Sequence, residues 1–230
     1  MRIEATRTVN LMRSLNFDYL NNALRPSWRG KIHAFTTLLV PAAGGYLVSI
    51  AKSVTGILGA SVYSLGLLLC FGVSAIYHVV CRTPKSQELF RRLDHGFIYV
   101  LIAGTYTPIC LLVLSGVQLW LTLVLLWSCV ALGMYLKLAS LAKRLATAFY
   151  LVLGWLSILI VPSLYSFAGA APVALLGLGG VLYTIGAVLF LKGIPVLKAK
   201  VFSYHEFWHA ITITASAAHY AAICLVLYAA

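Results

Sequence analysis

Long apolar segments separated by short polar connections make up the chain from about residue 32 to its end. A helix that crosses a lipid bilayer needs about 20 mainly apolar residues. Seven windows satisfy this requirement, at about residues 32–51, 55–80, 93–114, 118–136, 145–165, 172–191 and 207–229. The pattern therefore predicts an all-α, polytopic membrane protein with seven transmembrane helices.

The first 30 residues differ from the rest, because they are polar and basic. They lack the apolar core that a signal peptide requires, so we expect a cytoplasmic tail over residues 1–30. The connections between the later windows are short, so we expect residues 31–230 to form one transmembrane domain. Composition agrees with this organisation, since 62% of the 230 residues are hydrophobic and only 10% are charged. Soluble globular domains contain far more charge.

The net charge of +12 is distributed unevenly. Sixteen of the 17 lysine and arginine residues lie in the N-terminal segment or in the connections that follow the second, fourth and sixth windows, and only Lys52 lies on the other side. The positive-inside rule then places the N-terminus in the cytoplasm and the C-terminus outside. No nucleic-acid-binding motif accompanies the basic face, so we expect membrane lipids, and no nucleic acid, as partners.

A few ionisable and hydroxyl side chains interrupt the apolar windows at one membrane depth. In the predicted orientation, the second window ends at the cytoplasmic boundary with Ser74 and His78, and the third begins there with Asp94. The seventh window begins at the same boundary with His205 and His209. Residues four apart share a helix face, so each pair points in one direction. Because ionisable groups in a bilayer are costly and usually functional, we expect these side chains to meet.

Three of these residues, His78, His205 and His209, carry imidazoles of the kind that bind zinc. Three protein ligands with an open fourth position are typical of catalytic zinc sites, whereas structural sites usually have four. Zinc in such a site activates water, and Asp94 could accept or orient its proton. Ser74 could hydrogen-bond to the water, to Asp94 or to a substrate carbonyl, or equally bond back to the carbonyl of residue 70.

The string His205-Glu206-Phe-Trp-His209 also fits the zincin pattern His-Glu-x-x-His, in which the glutamate is a general base. Against a metalloprotease, no Asp or Glu follows Glu206, and a carboxylate ligand would have to be Asp94, far upstream. On an ideal helix Glu206 also points about 100° away from His205, so we expect it to face the cytoplasmic head groups.

The remaining histidines are expected to lie outside the predicted zinc site. His33 borders the first window, and His95 points about 100° away from the preceding aspartate, so we interpret both as interfacial. His219 lies about 15 Å deeper than His209 on a similar helix face. It indicates either a polar cavity or a buried hydrogen bond to a neighbouring helix, and we favour the hydrogen bond.

The chain resembles the haemolysin III-like branch of the progestin and adipoQ receptor family over about residues 30–229. The family pattern combines Ser-x3-His at the end of helix 2, Asp at the start of helix 3 and His-x3-His at the start of helix 7. The matching stretches are Ser74-Ala-Ile-Tyr-His78, Arg92-Leu-Asp94-His-Gly-Phe-Ile-Tyr-Val-Leu-Ile-Ala-Gly-Thr-Tyr-Thr-Pro108 and His205-Glu-Phe-Trp-His209, with His219-Tyr220 downstream.

This resemblance implies seven helices with a cytoplasmic N-terminus, and zinc held by His78, His205 and His209. It implies that Asp94 contacts the metal-bound water with Ser74 nearby, so we expect these two as catalytic residues. It also implies membership of a superfamily of membrane hydrolases, in which receptor members show ceramidase-like amide hydrolysis. The family pattern leaves the residue after the first helix-7 histidine free, so the resemblance gives the glutamate there no catalytic role.

Two functions remain open on the sequence. The first is a zinc-dependent hydrolase of a lipid amide or ester with a role in membrane lipid homeostasis, in the cell (bacterial inner) membrane. The second is a non-enzymatic membrane sensor or regulator, with a structural zinc that joins helices 2, 3 and 7. A pore is disfavoured because the windows contain no charged rings. A retinal protein is disfavoured because the seventh window has no lysine, and a G-protein-coupled receptor because the predicted orientation is inverted.

Overall fold

The computed structural model describes residues 25–139, 141 and 143–230. Within them, seven helices are long and apolar enough to cross a membrane, which confirms the predicted all-α, seven-helix architecture. Of the predicted tail, residues 1–30, the part from residue 1 to residue 24 lies outside the described residues. The helices are α1 (Lys31–Ile50), α2 (Val54–Val80), α3 (Pro84–Val113), α4 (Gly116–Leu138), α5 (Phe149–Ala168), α6 (Ala170–Lys192) and α7 (Tyr204–Ala229).

Polar residues in the short connections satisfy the free backbone amides at helix starts. Ser53 accepts a hydrogen bond at 3.1 Å from an amide in the first turn of α2. Thr83 and Ser86 form a reciprocal capping box, and Pro84 occupies the first turn of α3. These signals start α3 at residue 84 rather than at 93, where the apolar window begins. Asp94 therefore lies about three turns inside the helix and not at its start.

The last turn of α2, Ile76–Val80, is a π-helix. The backbone amide of Cys81 donates to Ile76 O at 3.0 Å and so closes the wider turn. His78 lies within it. π turns are rare and are found mostly at functional sites.

α5 is interrupted near its middle. The α-helix over Lys143–Trp155 contains the first part of α5. It is followed by a 3-10 turn over Leu156–Ile160 and then by a second α-helix over Val161–Ala168. Pro162 lies in the first turn of that second helix. Proline has no amide hydrogen to continue the α-helical ladder, so the interruption falls just before it.

Glycines bring α2 and α3 into close contact. A Cβ atom at Gly59 would lie 2.6 Å from the Cα of Pro108, and one at Gly66 would lie 3.5 Å from the Cα of Leu101. Tyr63, between the two glycines, is completely buried. Small residues permit such an approach where lipid provides no hydrophobic driving force between helices. The outward faces of the bundle carry many exposed leucine, isoleucine and valine side chains, as lipid contact requires.

Candidate metal centre

Three histidine side chains converge where the end of α2 meets the start of α7. His78 lies in the π turn, and His205 and His209 share one face of the first two turns of α7. One ring nitrogen from each histidine lies within 4.8 Å of the others, and His78 Nε2 is 3.1 Å from His205 Nε2. His78 and His209 are buried. These three residues, here called the histidine triad, could hold a metal ion.

Unsatisfied hydrogen-bonding capacity in the triad fits a metal. His209 Nδ1 is buried and has no hydrogen-bond partner among the described residues. A buried polar atom without a partner is destabilising. The facing Nε2 atoms of His78 and His205, when both rings are neutral, can share only one proton. A cation of the zinc type, which prefers imidazole nitrogen, would give the unpartnered nitrogen a partner and could replace the proton between the two Nε2 atoms.

Ser74 and Asp94 lie at the same end of the bundle as the triad. Ser74 is buried, and its hydroxyl contacts the carboxyl group of Asp94 on α3. The same hydroxyl lies 2.8 Å from His33 Nδ1, so its bonds reach other helices instead of returning to the carbonyl of Cys70. Both residues line the cavity that two histidines of the triad also line. The structure thus brings the two predicted catalytic residues to the predicted site.

A cavity of about 270 Å³ extends from the triad into the bundle. Much of its wall is aliphatic or aromatic, and includes Ile98, Leu101 and Ile109 of α3, Leu176 of α6 and Trp155 of α5. An apolar cavity with a few convergent polar groups is the usual form of a small-molecule site. Ser74, Asp94 and two triad histidines lie together at one end, and His219 adds a polar group deeper in the wall. The cavity therefore suits a molecule with a polar head and a mainly apolar chain.

Glu206 is buried, which corrects the expectation that it faces the head groups. Its side chain is completely inaccessible and forms an ion pair with Arg29. The other carboxylate oxygen accepts a hydrogen bond from Ser203 N at 2.8 Å, in the capping box of α7. Both oxygens are therefore engaged with Arg29 and Ser203, as expected of a carboxylate that stabilises the fold. Sequence reasoning missed the ion pair because Arg29 lies 177 residues earlier in the chain.

Residues 25–30, here called the strap, cross the basic end of the helix bundle next to the triad. The backbone amide of Ser27 donates to Lys200 O at 3.0 Å, and that of Trp28 donates to Val201 O at 3.3 Å. The strap is therefore bonded to the connection between α6 and α7. It places the segment before α1 beside the first turn of α7.

Two strap residues also touch the triad residue of α2. Arg25 donates a side-chain hydrogen bond to His78 O. Burial, together with the nearby cation of Arg29, lowers the pKa of Arg25, whose guanidinium nevertheless stays charged at neutral pH. Gly30 has a φ of +77°, and a Cβ atom there would lie 2.4 Å from the Cβ of His78. Both the backbone conformation and the space at this position therefore require glycine.

The prediction that His33 and His95 are interfacial is wrong for His33, which is an interior residue. His33 is buried, and its ring stacks on that of His209 with a centroid distance of 3.9 Å. His95 is partly buried and lines the cavity. A signal was present for His33, since the start of α1 and the start of α7 share one predicted membrane depth.

His219 makes the interhelical hydrogen bond that the sequence favours, in a partly buried position. Its Nε2 lies 3.3 Å from Leu176 O on α6. A Cβ atom at Gly179 would lie 2.2 Å from that nitrogen, so the missing side chain of the glycine makes room for the ring. The ring also lines the cavity.

Known proteins resemble this chain along most of its length. Residues 21–220 match the protein family described as Haemolysin-III related. A hemolysin-3 homolog of Bacillus subtilis (strain 168) is 33% identical over 202 residues, covering 85% of this chain and 90% of that protein. Hemolysin-3 of Bacillus cereus is 31% identical over 195 residues, covering 83% and 85%. The human monocyte to macrophage differentiation factor is 30% identical over 208 residues, covering 85% and 82%.

Proposed function

This chain belongs to the haemolysin III-related family, and we propose that it is a zinc-dependent hydrolase of a lipid amide or ester, with ceramidase-like chemistry and a role in membrane lipid homeostasis. The observation that carries the proposal is the histidine triad at one end of an apolar cavity, with Asp94 in the cavity wall. An apolar cavity inside a membrane bundle suits an acyl chain, and the polar end suits the bond to be cleaved.

The reaction would break the C–N or C–O bond beside the acyl carbon and add water across it, giving a fatty acid and an amine or alcohol. Zinc held by the triad would supply Lewis acidity toward the carbonyl oxygen and the water. Asp94 would take a proton from the attacking water and return it to the leaving nitrogen or oxygen. Ser74 would orient the Asp94 carboxyl group through their contact.

Metal analysis tests the site. We expect purified protein to contain about one zinc ion per chain and the double variant His205→Ala, His209→Ala to contain almost none. Glu88→Gln is the matched control, because Glu88 forms exposed pairs with Arg91 and Arg92. Equal zinc in the double variant and in the wild type would remove the triad as the metal site.

Untargeted lipid analysis tests the chemistry. Cells that express Asp94→Asn are compared with cells that express the wild type, at equal protein level and equal zinc content. We expect one class of lipid amide or ester to accumulate in the variant, because the asparagine amide cannot accept the proton. Identical lipid profiles, with zinc retained in both proteins, would reject the hydrolase.

The strap gives specific support to the alternative, a non-enzymatic sensor or regulator with a structural zinc joining α2, α3 and α7. Arg25 and Arg29 tie the segment before α1 to His78 and Glu206, as a clip between helices would require. Lipid turnover that stops with Asp94→Asn would support the hydrolase and reject the regulator, because a regulator does not need a proton acceptor. For either function we propose a place in the cell membrane (inner membrane of a bacterium), with the basic end in the cytoplasm.

A further inference from the structure

We propose that His33 is a positioning residue of the metal site, which holds Ser74 on one side and His209 on the other without binding the metal itself. The proposal rests on the proposed metal site and adds to it a residue of α1. His33 lies outside the three stretches on which the resemblance rests, residues 74–78, 92–108 and 205–209.

The ring of His33 is held at both nitrogens and against two neighbouring aromatic rings. Nδ1 lies 2.8 Å from Ser74 Oγ and Nε2 lies 3.2 Å from Thr212 Oγ1. One face stacks on His209, with a centroid distance of 3.9 Å and an interplanar angle of 12°. The centroid of the Phe71 ring lies 4.9 Å from that of the His33 ring, and the two rings are tilted by 44°. Only 5% of the residue is exposed.

Proton donors determine the tautomer of this ring. The hydroxyl of Thr212 donates its single proton to His209 O at 2.9 Å, because a carbonyl oxygen can only accept. The oxygen of Thr212 therefore accepts from the Nε2–H of His33. In the neutral ring Nδ1 is then an acceptor that faces the hydroxyl of Ser74, whose single proton can serve either Nδ1 or the Asp94 carboxylate at one time. With both nitrogens occupied, His33 offers no lone pair to a metal ion.

These contacts join the two halves of the site. Through Ser74, His33 reaches α2 and the residue that contacts Asp94. Through Thr212 and the stacked ring, it fixes both the backbone and the imidazole plane of His209 on α7. Residues that orient metal ligands typically change metal affinity by about 10–100-fold when they are substituted.

Three substitutions at His33 separate its contacts. His33→Phe keeps a ring on His209 and removes both hydrogen bonds. His33→Asn keeps a polar group near the Nδ1 position, toward Ser74, whereas His33→Gln reaches the Nε2 position, toward Thr212. Thr36→Val is the control on the same helix, because among the residues that the structure describes the Thr36 hydroxyl donates to Ile32 O within α1 and to no other helix.

Affinity is measured on purified, metal-depleted full-length protein by chelator competition with Zn²⁺, and ligand geometry by the absorption bands of the Co²⁺-loaded protein. We expect His33→Phe to weaken Zn²⁺ binding about 10–100-fold and to change the Co²⁺ bands. His33→Asn and His33→Gln should each recover part of the loss, and Thr36→Val should bind as the wild type does. A purely structural role would lower the thermal stability while leaving the Co²⁺ bands of the folded fraction unchanged.

The outcomes separate this inference from the proposed function. If the wild-type protein binds neither Zn²⁺ nor Co²⁺, both the proposed metal-dependent function and the role of His33 are rejected. A wild type that binds Zn²⁺, with His33→Phe equal to Thr36→Val, overturns the role of His33 alone. If His33→Phe does not fold, the asparagine and glutamine variants decide, and wild-type affinity and wild-type Co²⁺ bands in both overturn the inference.

Discussion

Glu206 is a residue whose role depends on what its carboxylate contacts. In a zincin it would act on water beside the metal, and its removal would stop catalysis in a stable protein. In the structure it lies between Arg29 and the amide of Ser203. Removing one partner of a buried ion pair destabilises a fold, because the remaining charge is left uncompensated. A single substitution therefore distinguishes the two roles.

We expect Glu206→Gln to lower the free energy of unfolding by about 1–3 kcal/mol. The glutamine amide still fills the space and accepts a hydrogen bond from Ser203, but it cannot balance the charge of Arg29. The estimate lies below that for a fully buried pair because Arg29 is 20% exposed. Thermal unfolding in detergent measures the change, and metal analysis of the folded fraction should show zinc retained.

The control for this experiment is Glu88→Gln. Glu88 is 45% exposed in its pairs with Arg91 and Arg92, so its loss should change stability by about 1 kcal/mol or less. Wild-type stability in Glu206→Gln, combined with loss of metal-dependent activity, would contradict the ion-pair assignment and favour a general base.

At the scale of the helices, the contact between α2 and α3 can be tested apart from the metal site. Gly59→Ala would place a methyl group 2.6 Å from the Cα of Pro108, and backbone atoms cannot rotate away as a side chain can. We expect a loss of about 1–3 kcal/mol in unfolding free energy. Gly59 lies about 28 Å from His78 along α2, so zinc affinity of the folded variant should be unchanged.

Gly45→Ala on α1 is the matched substitution without a contact. No heavy atom lies within 4 Å of a Cβ placed there. Helix propensity then favours alanine by up to about 1 kcal/mol, so this variant should be as stable as the wild type or more stable. Equal destabilisation by both substitutions would show that the close packing of α2 on α3 is not what makes Gly59 necessary.

Hydropathy predicts the seven helices well because a bilayer leaves few alternatives. Only a helix satisfies all its backbone groups within one span, and the bilayer thickness sets its length. The same pattern gives membrane depth, which is why His78, Asp94 and His205 are correctly expected at one end of the bundle.

Depth does not give the rotation of a helix about its own axis, and the remaining features depend on rotation. His33 turns toward His209 through packing between α1 and α7, which no local pattern specifies. Glu206 turns inward because Arg29, distant in sequence, meets it there. The π turn at Ile76–Val80 inserts an extra residue per turn, and the sequence of that stretch contains no signal for it.

For the whole molecule, the distribution of basic residues predicts the orientation in the membrane. In a chain whose five native cysteines are replaced, a single cysteine is introduced at Lys52 or at Arg82, which lie at opposite ends of α2 and are both exposed. We expect a membrane-impermeant maleimide to label Lys52→Cys in intact cells and to label Arg82→Cys only after permeabilisation.

The reverse labelling pattern would place the histidine triad at the outer surface and would contradict a cytoplasmic N-terminus. The cysteine-free chain reports background labelling. Labelling of both positions in intact cells, without background, would contradict a single orientation of the protein.

The strap links the order of synthesis to completion of the site. Arg29 precedes the first helix and its partner Glu206 opens the last, while His78 and His205 are separated by 127 residues. At roughly 5–20 residues per second, His78 leaves the ribosome about 6–25 s before His205. A nascent chain that stops short of α7 has one imidazole of the three and lacks Glu206, the partner of Arg29 in the strap. A metal ion held by all three rings would therefore mark a chain whose synthesis has reached the seventh helix.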